Sequence, residues 1–306
     1  VGAAERQAEF RHLRPLCAYA RPGDDTAIPK AALFCSGILR EDASVSLREQ
    51  LERFGRGVEL AFRCDVPIGS GLGSSSILGA AILAALAGLC GRNPTPAELF
   101  EEVLQLEQML TTGGGWQDQV GGVTGGIKMT TSKPGSPQEL RARRVKLSAP
   151  VADELHRRML LYHTGYTRVA KDILESVMGR YIAREPAVVA ALGELKGLAR
   201  LAERGLRSGG LDDVGVAMSE QWRRNKVLDP DSTNPKIDAL FEALTPLVCG
   251  AKLAGAGGGG FLAVMRWGPD GSPSAERIVR VLARMAPEGR PYAFEINDRG
   301  LQLRVE

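Results

Sequence analysis

Hydrophobic spacing divides this chain into stretches of different period. Over 58–66 apolar and polar positions alternate, with Val58, Leu60, Phe62, Cys64 and Val66 on one side, which predicts a strand. Residues 66–91 carry no charge, but only the 14 from Ile77 to Cys90 form an unbroken apolar helical run, so a buried helix is predicted over about 74–89. A membrane span would need about 20 such residues. Thr95-Pro96-Ala97-Glu98 is a capping box with proline at the first helical position. A second helix therefore starts there and runs to about Leu110, where Thr111 to Gly115 end it. On this helix Leu99, Phe100, Val103, Leu106 and Leu110 form one apolar arc. The first 60 residues are less regular, with helical patterning over 46–54 and polar connections around 21–25.

A short glycine-rich helix and strands near 126–131 and 144–147 follow. The Pro-Gly-Ser-Pro turn at 134–137 and Pro150 then loosen the chain. A domain boundary is expected near 150, dividing 1–150 from 151–306. Beyond it the pattern predicts strands at 158–162, 251–253, 260–265 and 292–296, and helices at 168–181, 187–206, 212–224, 237–247 and 274–285. Strands and helices mixed without strict alternation argue for an α+β fold.

Composition narrows the function classes. With 306 residues, 44% hydrophobic and 25% charged, the chain has the makeup of a globular protein with room for two domains. A net charge of +3 does not imply a nucleic-acid partner, and Arg141 to Arg144 are expected on a solvated turn. Five cysteines, odd in number and widely spaced, suggest buried free thiols in a reducing, cytoplasmic setting rather than disulfides. No Cys-x-x-Cys or His-x-x-x-His spacing suggests zinc. No signal peptide is visible, and because the first residue is Val1, a cut or processed start is expected.

The chemistry concentrates in two glycine clusters and two acids. Asp65-Val66-Pro67-Ile68-Gly69-Ser70-Gly71-Leu72-Gly73-Ser74-Ser75-Ser76 joins the predicted strand to the predicted helix. Glycines there let backbone approach an anion closely, while the first helical turn offers unpaired N–H groups to it. An ordinary strand-to-helix turn with a serine cap would use the same residues. With no Lys-Ser or Lys-Thr pair, the loop is not a Walker loop, and nothing resembles a protein-kinase catalytic loop.

Glu107 projects from the apolar arc of the second helix and so needs a positive or hydrogen-bonding partner, either a buried Arg or Lys or a metal. Asp118 follows the Gly113-Gly114-Gly115-Trp116-Gln117 loop, placed either to accept a proton or to cap a helix. Trp116 fills core or stacks on a sugar ring. Lys252-Leu253-Ala254-Gly255-Ala256-Gly257-Gly258-Gly259-Gly260 contains a formal Gly-x-Gly-x-x-Gly match, but a strand follows it, so dinucleotide binding is rejected. Four adjacent glycines suit close contact with a ligand or another loop better than a plain hairpin.

Together these strings resemble a known family. Residues 67–76 resemble the second signature of the galactokinase, homoserine kinase, mevalonate kinase and phosphomevalonate kinase (GHMP) superfamily, and residues 252–260 its third. Ile-Pro-Lys-Ala-Ala at 28–32, Leu-Thr-Thr-Gly-Gly-Gly-Trp-Gln-Asp-Gln at 110–119, Thr-Gly-Tyr-Thr-Arg at 164–168 and Asn-Lys-Val-Leu-Asp at 225–229 resemble, more narrowly, the kinase domain of L-fucokinases. The resemblance implies a domain related to ribosomal protein S5 followed by a ferredoxin-like domain, with ATP between them. It implies phosphoryl transfer from Mg-ATP to the anomeric hydroxyl of L-fucose, in GDP-fucose salvage.

Carried over by position, Pro67, Gly69, Ser70, Gly71, Leu72, Gly73, Ser74, Ser75 and Ser76 hold the ATP phosphates, with Gly257 and Gly258 closing from the second domain. Ser75 and Glu107 hold Mg²⁺, and Asp118 is the base or hydroxyl-orienting carboxylate. Gly114, Gly115, Trp116, Arg168 and Gly255 face the sugar. For Arg168 a structural ion pair is an equal alternative, and Asn225 and Lys226 are weaker candidates. The superfamily's first signature has no counterpart before Ile28, so a fragment of a longer protein, fused behind a nucleotidyltransferase domain, is expected. A heptose-phosphate kinase is the nearest rival; Trp116 stands where that subgroup is expected to carry lysine. A non-catalytic sugar- or nucleotide-binding module is the other, and the joint presence of Ser75, Glu107 and Asp118 argues against it.

Overall fold

The computed structural model describes residues 7–304 except 22, 68, 111–114, 136–137, 167–169 and 269–272, with the side chains of 170–172 also outside the description. Tertiary contacts gather the chain into two compact units, one of Val1–Asp65, Ser75–Thr124 and Arg299–Glu306, the other of Val66–Ser74 and Gly125–Asp298.

Helices build the first unit: α1 Leu13–Cys17, α2 Ala27–Cys35, α3 Leu47–Phe54, α4 Ser74–Leu89, α5 Pro96–Met109 and α6 Gln117–Val123. Charge-free α4 is covered on most sides, with Ala80, Leu83, Leu86 and Ala87 at the centre of the core. It lies against α5 where Gly79 meets Leu106, a gap a methyl group would close to 3.3 Å. The expected capping box forms, Thr95 with Glu98 on α5, and a second, Ser46 with Glu49, opens α3.

Two features depart from the hydrophobic pattern. Residues 57–65 are irregular rather than a strand, and Phe62 is 47% exposed. Alternation makes a strand only beside a hydrogen-bonding neighbour, and among the described residues no strand pairs with this segment. Helix α2 was not apparent in the pattern. Its Lys30 is buried and bonded to Asp24 at 2.6 Å, so a charge sits at a core position and breaks the apolar period.

The second unit is the α+β part. β1 Lys128–Ser132 and β2 Leu140–Arg144 form an antiparallel hairpin with Lys128 opposite Arg144. Arg141 to Arg144 therefore lie in an exposed strand rather than a turn, and β2 precedes the expected 144–147. Their charges meet acids, Arg143 on Glu203 and Arg144 on Asp298. Pro150 does not loosen the chain but sits in the first turn of α7 Ala149–Arg158, where its missing N–H costs nothing.

β3 Met159–His163, α8 Ala170–Ile182, α9 Pro186–Ser208, α10 Leu211–Leu228, a 3₁₀ turn at Pro230–Ser232, α11 Pro235–Leu244, β4 Gly250–Leu253, β5 Phe261–Met265, α12 Ala275–Met285 and β6 Arg290–Tyr292 complete the unit. The sheet runs β4-β5-β3-β6, antiparallel throughout. β6 ends at Tyr292, opposite Leu161, instead of continuing over 292–296. Tyr162, Leu253, Leu262, Ile237, Leu240, Leu244, Ile278 and Leu282 fill the space between sheet and helices. Each such side chain contributes about 1.5–3 kcal/mol by leaving water.

All five cysteines are free, but only Cys249 is buried; Cys64 and Cys90 are exposed, contrary to the expectation of buried thiols. Among the described residues no helix is long and apolar enough to cross a membrane.

Candidate active site

The first glycine loop owes its course to three left-handed residues, Gly69, Gly71 and Gly73, with φ of 72°, 74° and 70°. Ser70, between the first two, is completely buried. Its N–H donates to the Pro67 carbonyl at 3.2 Å, its hydroxyl accepts from Leu72 N at 3.3 Å, and its carbonyl accepts from Phe261 N at 2.9 Å. The loop runs straight into the first turn of α4, whose leading N–H groups have no partners within the helix.

The second glycine tract connects β4 to β5, and the close contact it implied is with backbone. A methyl group on Gly71 would stand 2.6 Å from the Ala254 carbonyl oxygen, and one on Gly255 would stand 3.1 Å from Gly71 Cα. Gly257 and Gly258 lie against the 3₁₀ turn, where Gly258 N donates to Ser232 O at 2.5 Å. Gly260 N donates to Tyr166 O at 2.8 Å, and Thr164 Oγ1 donates back to Gly260 O at 2.9 Å. One glycine tract thus moulds the other.

In the first unit Glu107 is 6% exposed and finds neutral donors. The Ser76 hydroxyl donates to one carboxylate oxygen, and Gln119 Nε2 donates to the other at 2.9 Å. Burial pushes the Glu107 pKa up and the nearby charge of Asp118 adds to this, while the hydrogen bonds from Ser76 and Gln119 oppose it. Asp118 itself is half-buried in the first turn of α6, whose N-cap is Trp116.

Ser76 faces α5 because it shares a side of α4 with Gly79, Ala80 and Leu83. Ser75, about 100° further round the helix, is exposed. Sequence reasoning had paired Ser75 with Glu107; the side chain that reaches Glu107 here is Ser76. Gln119 was quoted in the Gly-Gly-Trp-Gln-Asp-Gln string without a role, and only the packing of α6 against α5 reveals one. Gly115 is exposed and Trp116 half-buried, while Gly114 and Arg168 lie outside the described residues. Lys226 pairs with Asp238 at 3.3 Å, a structural partner, while the Asn225 backbone carbonyl closes the end of α10 by accepting from Asp229 N.

The family profile described as "GHMP kinases N terminal domain" matches residues 40–126, and "GHMP kinases C terminal" matches 202–287, together more than half of the chain. The chain belongs to the GHMP kinase family. An L-fucokinase/L-fucose-1-P guanylyltransferase from Bacteroides fragilis is 35% identical over 311 residues, covering 99% of this chain and 32% of that protein. A bifunctional fucokinase/GDP-fucose pyrophosphorylase from Arabidopsis thaliana is 38% identical over 242 residues, covering 79% of this chain and 22% of that protein. The chain thus spans a third or less of the length of these relatives. In fold, it matches the crystal structure of a D-glycero-D-manno-heptose 1-phosphate kinase from Bacteroides thetaiotaomicron with a TM-score of 0.55 at 20% identity, covering 79% of this chain and 66% of that one.

The donor set of this GHMP kinase fits Mg²⁺ arriving with a nucleotide. A carboxylate and serine hydroxyls are hard oxygen ligands, and among the described residues no cluster of three or more Asp, Glu, His or Cys could hold a metal by itself. Mg²⁺ commonly takes one or two protein oxygens and completes its shell with phosphate and water. Burial works against the charge of Glu107, and a cation beside it would favour the carboxylate form.

Proposed function

We propose that this chain is the kinase part of a cytoplasmic ATP-dependent sugar kinase that phosphorylates the anomeric hydroxyl of L-fucose, giving fucose 1-phosphate for GDP-fucose salvage. The observation that carries the reading is Glu107, a buried carboxylate held by Ser76 and Gln119 with Asp118 beside it. Phosphoryl transfer asks little covalent chemistry of a protein; it asks for an aligned acceptor oxygen and neutralised phosphate charge. Two acids in different settings suit those two tasks.

In this reading Pro67, Gly69, Ser70, Gly71, Leu72, Gly73 and the serines 74–76 hold the phosphates, joined by Gly257 and Gly258. Glu107 and Ser75 or Ser76 hold Mg²⁺, which when bound offsets charge on the transferred group. Asp118, half-buried in the first turn of α6, accepts the proton of the sugar hydroxyl or orients it. Gly114, Gly115, Trp116, Arg168 and Gly255 border the sugar, and the uncharged face of Trp116 suits a deoxy sugar without a phosphate. The printed names of the two relatives couple a fucokinase to a guanylyltransferase or pyrophosphorylase, which supports a nucleotidyltransferase domain in the full-length protein.

ADP release from the purified chain, measured over L-fucose, D-arabinose, galactose and a heptose 7-phosphate, tests this reading. Turnover is expected with L-fucose above the others. Preference for the heptose phosphate would replace the substrate, and no ADP release with any sugar would leave a binding module instead of an enzyme.

A further inference from the structure

Gln119 holds Glu107 but touches no substrate in the reading above, and its side chain is completely buried one residue after Asp118. Its amide orientation is determined by its partner. Nε2 lies 2.9 Å from Glu107, and because a carboxylate only accepts, the NH₂ end must face it. Oε1 is then left buried with no hydrogen-bond partner. Native interiors keep few such atoms, and those they keep call for an explanation. The other Glu107 oxygen is taken by the Ser76 hydroxyl, so donors from α4 and α6 grip the carboxylate from two sides.

We propose that Gln119 is a positioning residue for phosphoryl transfer. Its amide nitrogen holds Glu107 in the rotamer that meets the cation. Its orphan Oε1 accepts from an O–H group that arrives with the substrates, either a water on the metal or a hydroxyl of the sugar. The inference rests on the Mg-ATP reading above. Residues that orient a metal ligand commonly change metal affinity by 10–100-fold when removed, because Mg²⁺ tolerates little departure from octahedral geometry.

Gln119→Met keeps the length and volume of the side chain while removing donor and acceptor. Mn²⁺ uptake in the presence of ADP, followed by electron paramagnetic resonance without sugar, is expected to weaken about tenfold. ADP affinity in EDTA should stay unchanged, and excess Mg²⁺ should restore most of kcat, which a general loss of packing would not allow. A sugar KM that also rises at saturating Mg²⁺ assigns the O–H donor to the sugar; an unchanged KM assigns it to the metal's water. Wild-type metal affinity and KM in the variant would overturn the inference. Gln119→Asn, one methylene too short to reach Glu107, gives the same readouts should the Met variant fail to fold, with the same overturning result. If wild-type protein takes up no Mn²⁺ with ADP, the Mg-ATP reading itself fails; wild-type uptake with unaltered variants sinks only the role of Gln119.

Discussion

A methyl group placed on Gly260 would stand 2.4 Å from the carbonyl oxygen of Ser70. Two glycine tracts separated by more than 180 residues are therefore in backbone contact, and the shape of the first depends on the second. Gly260 also has a φ of 79°, which an alanine adopts at a cost of about 1–2 kcal/mol before any clash. Gly260→Ala should displace the 69–71 backbone and raise the KM for ATP about tenfold or more while leaving that for sugar within a few fold. An unchanged ATP KM would show that the loop does not hold the nucleotide.

Asp118→Asn keeps size and hydrogen-bonding capacity but removes the charge. If Asp118 takes or orients the proton of the acceptor hydroxyl, kcat should fall about 10²–10⁴-fold with nucleotide affinity within a few fold. Removing a negative charge that now pushes Glu107 upward should also leave the fold intact. Near-normal turnover would exclude Asp118 from the chemistry.

Glu107→Gln separates function from stability. Burial already disfavours the carboxylate, so a neutral amide of the same shape should leave the melting temperature unchanged or raise it by a few degrees. The Mg²⁺ concentration for half-maximal rate should rise at least tenfold, with kcat lower. A large drop in melting temperature would mean that Glu107 serves the fold.

Asp24 and Lys30 supply a pH-dependent contribution. Burial acts upward on the Asp24 carboxyl, but hydrogen bonds from Lys30 and Thr26 and the charge of Lys30 outweigh it and bring the pKa to about 2, below its ordinary 3.8. Because the folded value is the lower one, the stability this pair contributes is complete above about pH 4. It is lost as the pH falls towards 2. Asp24→Asn should therefore lower the melting temperature at pH 6 and flatten its decline between pH 4 and 2; parallel profiles for the two proteins would refute the assignment. Lys30→Met, which removes the ammonium from the part-buried Asp24 carboxylate, should cost about 1–2 kcal/mol at pH 6.

Much of the first unit was legible because its signals are local. The unbroken apolar run after the serine triplet gave α4 its course, and Thr95-Pro96-Ala97-Glu98 marked the start of α5. Elements that depend on distant partners were misread. The alternation over 58–66 lacks a neighbouring strand, Pro150 opened a helix rather than ending order, and α2 hides behind a lysine whose counter-charge lies six residues upstream.

For the site, the sequence determined by itself that glycines in positive-φ positions lead into a helix start, that Glu107 sits on a buried face, and that a glycine loop delivers Asp118. These follow from periodicity and backbone freedom, which are properties of neighbours along the chain. Only the tertiary structure decided that Ser76 and Gln119 answer Glu107, and that the second glycine tract lies on the first rather than on open space. Those pairings depend on which faces of α4, α5 and α6 meet and on how the β4–β5 connection closes. Packing of elements far apart in sequence sets them, and no local pattern records it.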